Sequence, residues 1–152
     1  MATPRWYFDD LKPGQVFTAG SRAITRDEII AFAREFDPQP FHLDDDAAKA
    51  SIYGGLLASG WHTAAILMRL LYEAFVKDAA SMGSPGVDEL RWLKPVRPGD
   101  TLTARFTILE AIPSRSKPDR GIVRSLSEVL NQRGEVVLTA KGMSLLKRRP
   151  QP

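Results

Sequence analysis

Between Trp61 and Lys77 the chain is apolar almost all the way round a helical wheel, and its charges, Arg69, Glu73 and Lys77, recur every four residues. That spacing gathers them into one narrow stripe, which predicts a buried helix with a single solvent-facing edge. His62, Arg69 and Glu73 interrupt the apolar run from Leu56 to Val76 and argue against a membrane span. Such a helix must be wrapped by something else in the chain. With 152 residues, 43% of them hydrophobic, the sequence can build one domain over residues 1–152 with a substantial core.

The wrapping material follows the helix. Thr101 to Ile112 alternates Leu102, Ala104, Phe106 and Ile108 against Thr101, Thr103, Arg105 and Thr107, the period of a half-buried strand. Val87 to Leu93, Ile122 to Leu130 and Glu135 to Leu146 are further strand candidates, the last two joined by an Asn131–Gly134 hairpin turn. Near the N-terminus, Lys12-Pro13-Gly14 is a turn leading into an extended Gln15–Ala19. Helices followed by a run of antiparallel strands make an α+β architecture.

Ahead of the long helix, Thr25 with Glu28 forms a capping box and starts a helix through Ile29, Phe32, Ala33 and Phe36, four residues on one face. It delivers Asp37 at its end. In Phe36–Thr63, FDPQPFHLDDDAAKASIYGGLLASGWHT, Pro38 and Pro40 stiffen the loop between Asp37 and His42. Two polar groups held on a stiff loop can address one water as general acid and base. Asp44 to Ser51 reads as a short helix capped by Asp44 or Asp45. Its three consecutive acids suit a helix start and lack the spaced partners of a metal site. Gly54, Gly55 and Gly60 then lead into the long helix, whose first N–H groups are free and suited to a developing oxyanion.

Asp37-Pro38-Gln39-Pro40-Phe41-His42-Leu43-Asp44 resembles the Asp-x-Asn-Pro-x-His-x-Asp signature of the MaoC-like dehydratases, which include the (R)-specific enoyl-CoA hydratases. The run Tyr53-Gly54-Gly55-Leu56-Leu57-Ala58-Ser59-Gly60 resembles their glycine-rich entry into the central helix. The resemblance implies a hotdog fold, a curled antiparallel sheet around the helix. It also implies Asp37 and His42 as catalytic pair, the Gly60 N–H as oxyanion donor, an (R)-3-hydroxyacyl product and pairing into a homodimer. Gln39 stands where the family usually has Asn, and Ser59 where many members carry histidine. With Tyr53 and Trp61 these are the expected substrate contacts. His62 is expected to be structural or at the pocket rim.

The expected reaction is reversible hydration of an α,β-unsaturated acyl-CoA, coenzyme A being only the carrier, with no metal or redox cofactor. A thioesterase on the same fold and a non-catalytic acyl-binding subunit are the alternatives. Cysteine is absent, which excludes thiolate nucleophiles and disulfides. A formal net charge of +3, without zinc-finger spacing or stacked-aromatic motifs, gives no case for nucleic acid. The N-terminus lacks the pattern of a secretory signal, and a cytoplasmic location is expected. Arg115, Lys117 and Arg120 in the basic 112–121 segment suit either coenzyme A phosphates or an ordinary solvated hairpin loop.

Overall fold

The long apolar segment is a helix, and the strands do wrap it. The computed structural model describes residues 2–152 and contains, in chain order, β1 (Val16–Ala23), α1 (Arg26–Phe36), α2 (Asp45–Ala50), α3 (Gly60–Ala74), β2 (Gly86–Trp92), β3 (Thr101–Pro113), β4 (Arg120–Leu130) and β5 (Val136–Lys147). The five strands form one sheet in the order β1-β3-β4-β5-β2, with every neighbour antiparallel. Its curl around α3 is the hotdog arrangement.

The alternation in β3 does what its period requires: Leu102, Ala104, Phe106 and Ile108 are all buried. A register shift between Ile108 and Glu110 then ends that strict pattern. Ile66, Leu67 and Leu70 of α3 pack with Ala104, Val129 and Leu138 of the sheet and with Ile29 of α1 in the main core. A second cluster, built on Phe8, Phe75, Phe106 and Leu146, closes the other end. There Phe75 leaves helical geometry (φ −144°, ψ −55°) and packs 4.8 Å from Phe17 and 5.2 Å from Phe106. Burying that ring stops α3 at Ala74, short of the expected Lys77.

Two further expectations need correcting. Phe36 does not dock with Ile29 and Ala33. It is 64% exposed, because the last residue of α1 sits where the chain turns away, and its ring rests on Phe32 at 5.0 Å. The exposed face of α3 is also wider than a charged stripe. Beside the charged stripe, where Glu73 pairs with both Arg69 and Lys77, it shows Trp61, Ala65, Met68 and Tyr72 to solvent. The same side of the molecule carries β2, which pairs only with β5 and leaves its other edge open. Among the described residues no helix is long and apolar enough to cross a membrane.

The capping box of α1 is present, with the Thr25 hydroxyl accepting from the Glu28 N–H at 3.1 Å and the Glu28 carboxylate accepting from the Thr25 N–H. Asp44 caps α2 by accepting from Ala47 N–H, and Asp45 is held by Arg26 at 2.7 Å. The Asn131–Gly134 turn joins β4 to β5, with Gly134 at φ +74° where a side chain would be strained.

Candidate active site

Asp37 is the residue on which α1 ends. Its N–H still bonds to Ala33 O at 2.9 Å, but Pro38 forbids another helical turn. Pro40 opens a single 3-10 turn, Pro40–His42, with His42 N–H bonded to Gln39 O. That turn swings the imidazole back onto the end of α1. His42 Nε2 lies 3.3 Å from Asp37 Oδ2, and both side chains are largely buried. The two residues that the sequence pairs are brought together.

The other ring nitrogen, Nδ1, is 2.7 Å from the carbonyl oxygen of Leu57. A carbonyl can only accept, so Nδ1 carries the hydrogen, and in the neutral ring Nε2 presents its lone pair. Leu57 was invisible to motif reasoning, since the contribution is a backbone atom and any residue type supplies it.

Asp37 is held at both oxygens. The Ser59 hydroxyl donates to Oδ2 at 2.7 Å, and the Gln39 amide donates to Oδ1 at 2.7 Å. Burial alone would push this carboxyl up, but the hydrogen bonds from Ser59 and Gln39 outweigh it, with a smaller pull from His42 whenever that ring carries a second proton. The group is held below the ordinary aspartate range, as an anion. Ser59, expected as a substrate contact, directs its hydroxyl to Asp37. It is fully buried, and its oxygen also accepts from Trp61 N–H as the N-cap of α3. One hydroxyl ties the start of the central helix to the carboxylate. Gln39, expected at the substrate, spends its amide on the same carboxylate while facing the pocket.

A cavity of about 420 Å³ opens over the pair, with Asp37, His42, Gly60, Tyr53 and Trp61 on its walls. Gly60, first residue of α3, has an N–H that finds no acceptor among the described residues. Its lack of a side chain is used at once: a Cβ there would lie 2.3 Å from the indole of Trp92. Tyr53 leans on Phe41, ring centres 5.2 Å apart. The turn that carries it is pinned by Arg97, whose guanidinium donates to the carbonyls of Tyr53, Gly55 and Leu56. Trp92 and the Leu93–Val96 segment complete the wall, and sequence reasoning missed them. An exposed tryptophan at a strand end was the one signal available.

His62 is not part of this cavity wall. Its ring stacks on Phe32 at 4.6 Å, and burial pushes the imidazole down, so it stays neutral, with Nδ1 unpartnered. The loop carrying Arg115 and Lys117 lies between β3 and β4, at the end of the sheet where Arg120 pairs with Lys147. The pocket opens at the other end of these strands, beside Val137. Within one chain that loop is remote from the pair, and Arg120 is engaged by Asp119.

Comparison with known proteins points to one family. The model of the MaoC like domain matches residues 10–129. The chain is 35% identical over 142 residues to the uncharacterized protein YdeM of Bacillus subtilis, covering 92% of this chain and 98% of that protein. It is 28% identical over 114 residues to the (R)-specific enoyl-CoA hydratase of Rhodospirillum rubrum, covering 72% of this chain and 74% of the hydratase. The crystal structure of a MaoC-like dehydratase from Rhodospirillum rubrum superimposes with a TM-score of 0.87 at 46% identity, over 96% of this chain and 99% of that one.

Proposed function

The chain belongs to the MaoC-like domain family, and from that premise we propose that it adds water reversibly across the α,β double bond of an enoyl-CoA thioester. The observation that carries the reading is the 3.3 Å approach of Asp37 Oδ2 and His42 Nε2 on one wall of a cavity whose neighbouring wall offers the free Gly60 N–H. A water held between the two acceptors gives up a proton to the pair as its oxygen bonds to the β-carbon. The π electrons move to the α-carbon and onward to the thioester oxygen, where the Gly60 N–H and the start of α3 stabilise the enolate. The proton then returns from the pair to the α-carbon. The product is a 3-hydroxyacyl thioester, and Asp37 and His42 end as they began. The similarity to an enzyme named (R)-specific enoyl-CoA hydratase supports the (R) configuration.

All the groups this reaction asks for are side chains and one backbone N–H, so the proposal includes no cofactor; coenzyme A enters as the carrier of the substrate. Mixing the protein with trans-2-enoyl-CoA of several chain lengths is expected to bleach the enoyl absorbance. Release of free thiol from saturated acyl-CoA instead would assign a thioesterase. Binding without either reaction would leave an acyl-binding subunit.

The exposed Trp61, Met68 and Tyr72 on α3, beside the open edge of β2, support a homodimer formed across this side of the molecule. Light scattering is expected to give twice the chain mass, and Met68→Asp to shift it toward the monomer. A parent protein that stays monomeric at high concentration removes the dimer from the reading.

A further inference from the structure

The catalytic cavity is one half of a longer trough. A second cavity of about 450 Å³ lies beside it, its wall mostly apolar and interrupted by five serines, Ser81, Ser84, Ser125, Ser127 and Ser144. Both fall in the size range of about 300–1,000 Å³ typical of small-molecule sites. The same three elements run past both. Along α3 the wall passes from Gly60 in the first cavity to Ala64 and Leu67 in the second, and along β5 from Val137 to Ala140. On β2 the corresponding residues are Trp92 and Leu90.

Trp61 is the residue common to both linings. Its ring meets Trp92 edge to face, centres 5.1 Å apart and planes at 78°. Trp92 lies against Gly60, so close that a Cβ on Gly60 would stand 2.3 Å from its ring. The pair thus stands where the trough would otherwise run on from the reacting centre into the apolar chamber. No charged side chain lines that chamber and its wall is mainly apolar, so what it chiefly offers an acyl tail is burial.

We infer that Trp61 and Trp92 set the acyl selectivity of this site, confining it to short acyl groups by closing the catalytic cavity off from the apolar chamber behind them. The inference rests on the acyl-thioester reading above. Burial of one methylene changes affinity by about fourfold, so a chamber closed to the tail forfeits that gain for every carbon beyond the partition. Removing one indole joins the two cavities and restores it. Trp61 is 58% and Trp92 46% exposed in the single chain, so truncating either leaves the core in place; Trp61 also lies on the face proposed above for the homodimer, so each variant is compared with the parent at the same oligomeric state.

The test has two readouts on the parent, Trp61→Ala and Trp92→Leu. Calorimetry with butanoyl-CoA and dodecanoyl-CoA, which have no double bond to hydrate, gives the ratio of affinities. Rates with trans-2-butenoyl-CoA and trans-2-dodecenoyl-CoA give the ratio of kcat/KM. The parent should favour the short chain, and each variant should raise the long-to-short ratio by at least about tenfold. Adding Met68→Trp to Trp61→Ala should refill the chamber and return the ratio toward the parent's.

A parent that takes the long chain as well as the short one overturns the inference. So do folded variants whose ratios match the parent's. A shifted affinity ratio with no hydration by any protein keeps the selectivity assignment and rejects the hydratase reading. Hydration with an unmoved ratio does the reverse.

Discussion

Asp37→Asn and His42→Ala are each expected to lower kcat/KM for enoyl-CoA hydration by about 10²–10⁴, the usual contribution of a positioned acid–base group, while far-UV circular dichroism is unchanged. The fold should tolerate both changes, since Asp37 is the C-cap of α1 and Pro38 ends the helix there whatever the side chain. The amide of Asn keeps the shape of the carboxylate and loses the ability to take a proton. Alanine at 42 loses Nε2 and leaves the Leu57 carbonyl without its donor, at the rim of a cavity that water can enter. Because the two acceptors share one water, the double variant should be little worse than the poorer single one. Two fully active single variants would end the hydratase mechanism proposed for this site.

The same assay followed against pH separates the pair from the group that holds it. Asp37 is kept below the ordinary aspartate range chiefly by donors, with Ser59 first among them. A depressed pKa keeps the carboxylate anionic as pH falls, so the parent retains the anion well into acid. Ser59→Ala removes a donor that favours the anion, which raises the Asp37 pKa, and its acid limb should therefore move to higher pH. Some loss of helix stability, about 1 kcal/mol for a lost N-cap, accompanies the change. An acid limb that does not move would reduce Ser59 to a cap.

The second large effect is expected from Gly60→Ala. At a helix start this change would ordinarily stabilise, by up to about 1 kcal/mol. Here the new methyl would lie 2.3 Å from Trp92 Cε2 and 2.4 Å from its Nε1. Overpacking of that kind costs about 1–3 kcal/mol where the neighbours cannot move. Trp92 is half exposed, and it can escape by swinging outward. Displacement of Trp92 should shift the tryptophan emission, and the methyl beside the free N–H should lower kcat by tenfold or more, in line with the loss of an oxyanion donor. Unchanged emission together with an unchanged rate would mean that Gly60 neither supports Trp92 nor serves the reaction.

What could be read from the sequence, and what could not, divides along the range of the interaction. The pairing of Asp37 with His42 is local: two prolines and one tight turn set it within six residues, and those residue types announce it. The strand period of β3, the Thr25–Glu28 box and the Asn131–Gly134 turn are legible for the same reason. Contacts made at long range carry no such mark. Ser59 meets Asp37 across 22 positions and Arg97 meets Tyr53 across 44, and only the folded chain brings them together. A periodic pattern also overstated the burial of α3. Trp61, Met68 and Tyr72 are apolar by type, yet they are exposed in the single chain, because a helical wheel counts residue types and does not tell which face the sheet covers.

The two ends of the sheet serve different needs. Arg148 holds Asp9 at 3.0 Å and Arg149 holds Asp10 at 2.8 Å, so the basic residues near the C-terminus are neutralised by acids near the N-terminus. This closure lies beside Phe8, which packs over Gly121 at the start of β4, while the cavity over Asp37 and His42 opens by Val137 at the far end of the same strands. The described chain is in effect a nearly closed loop with its seam turned away from that cavity. Residues 9–10 and 148–149 are thereby locked together at one corner of the domain, clear of the cavity mouth.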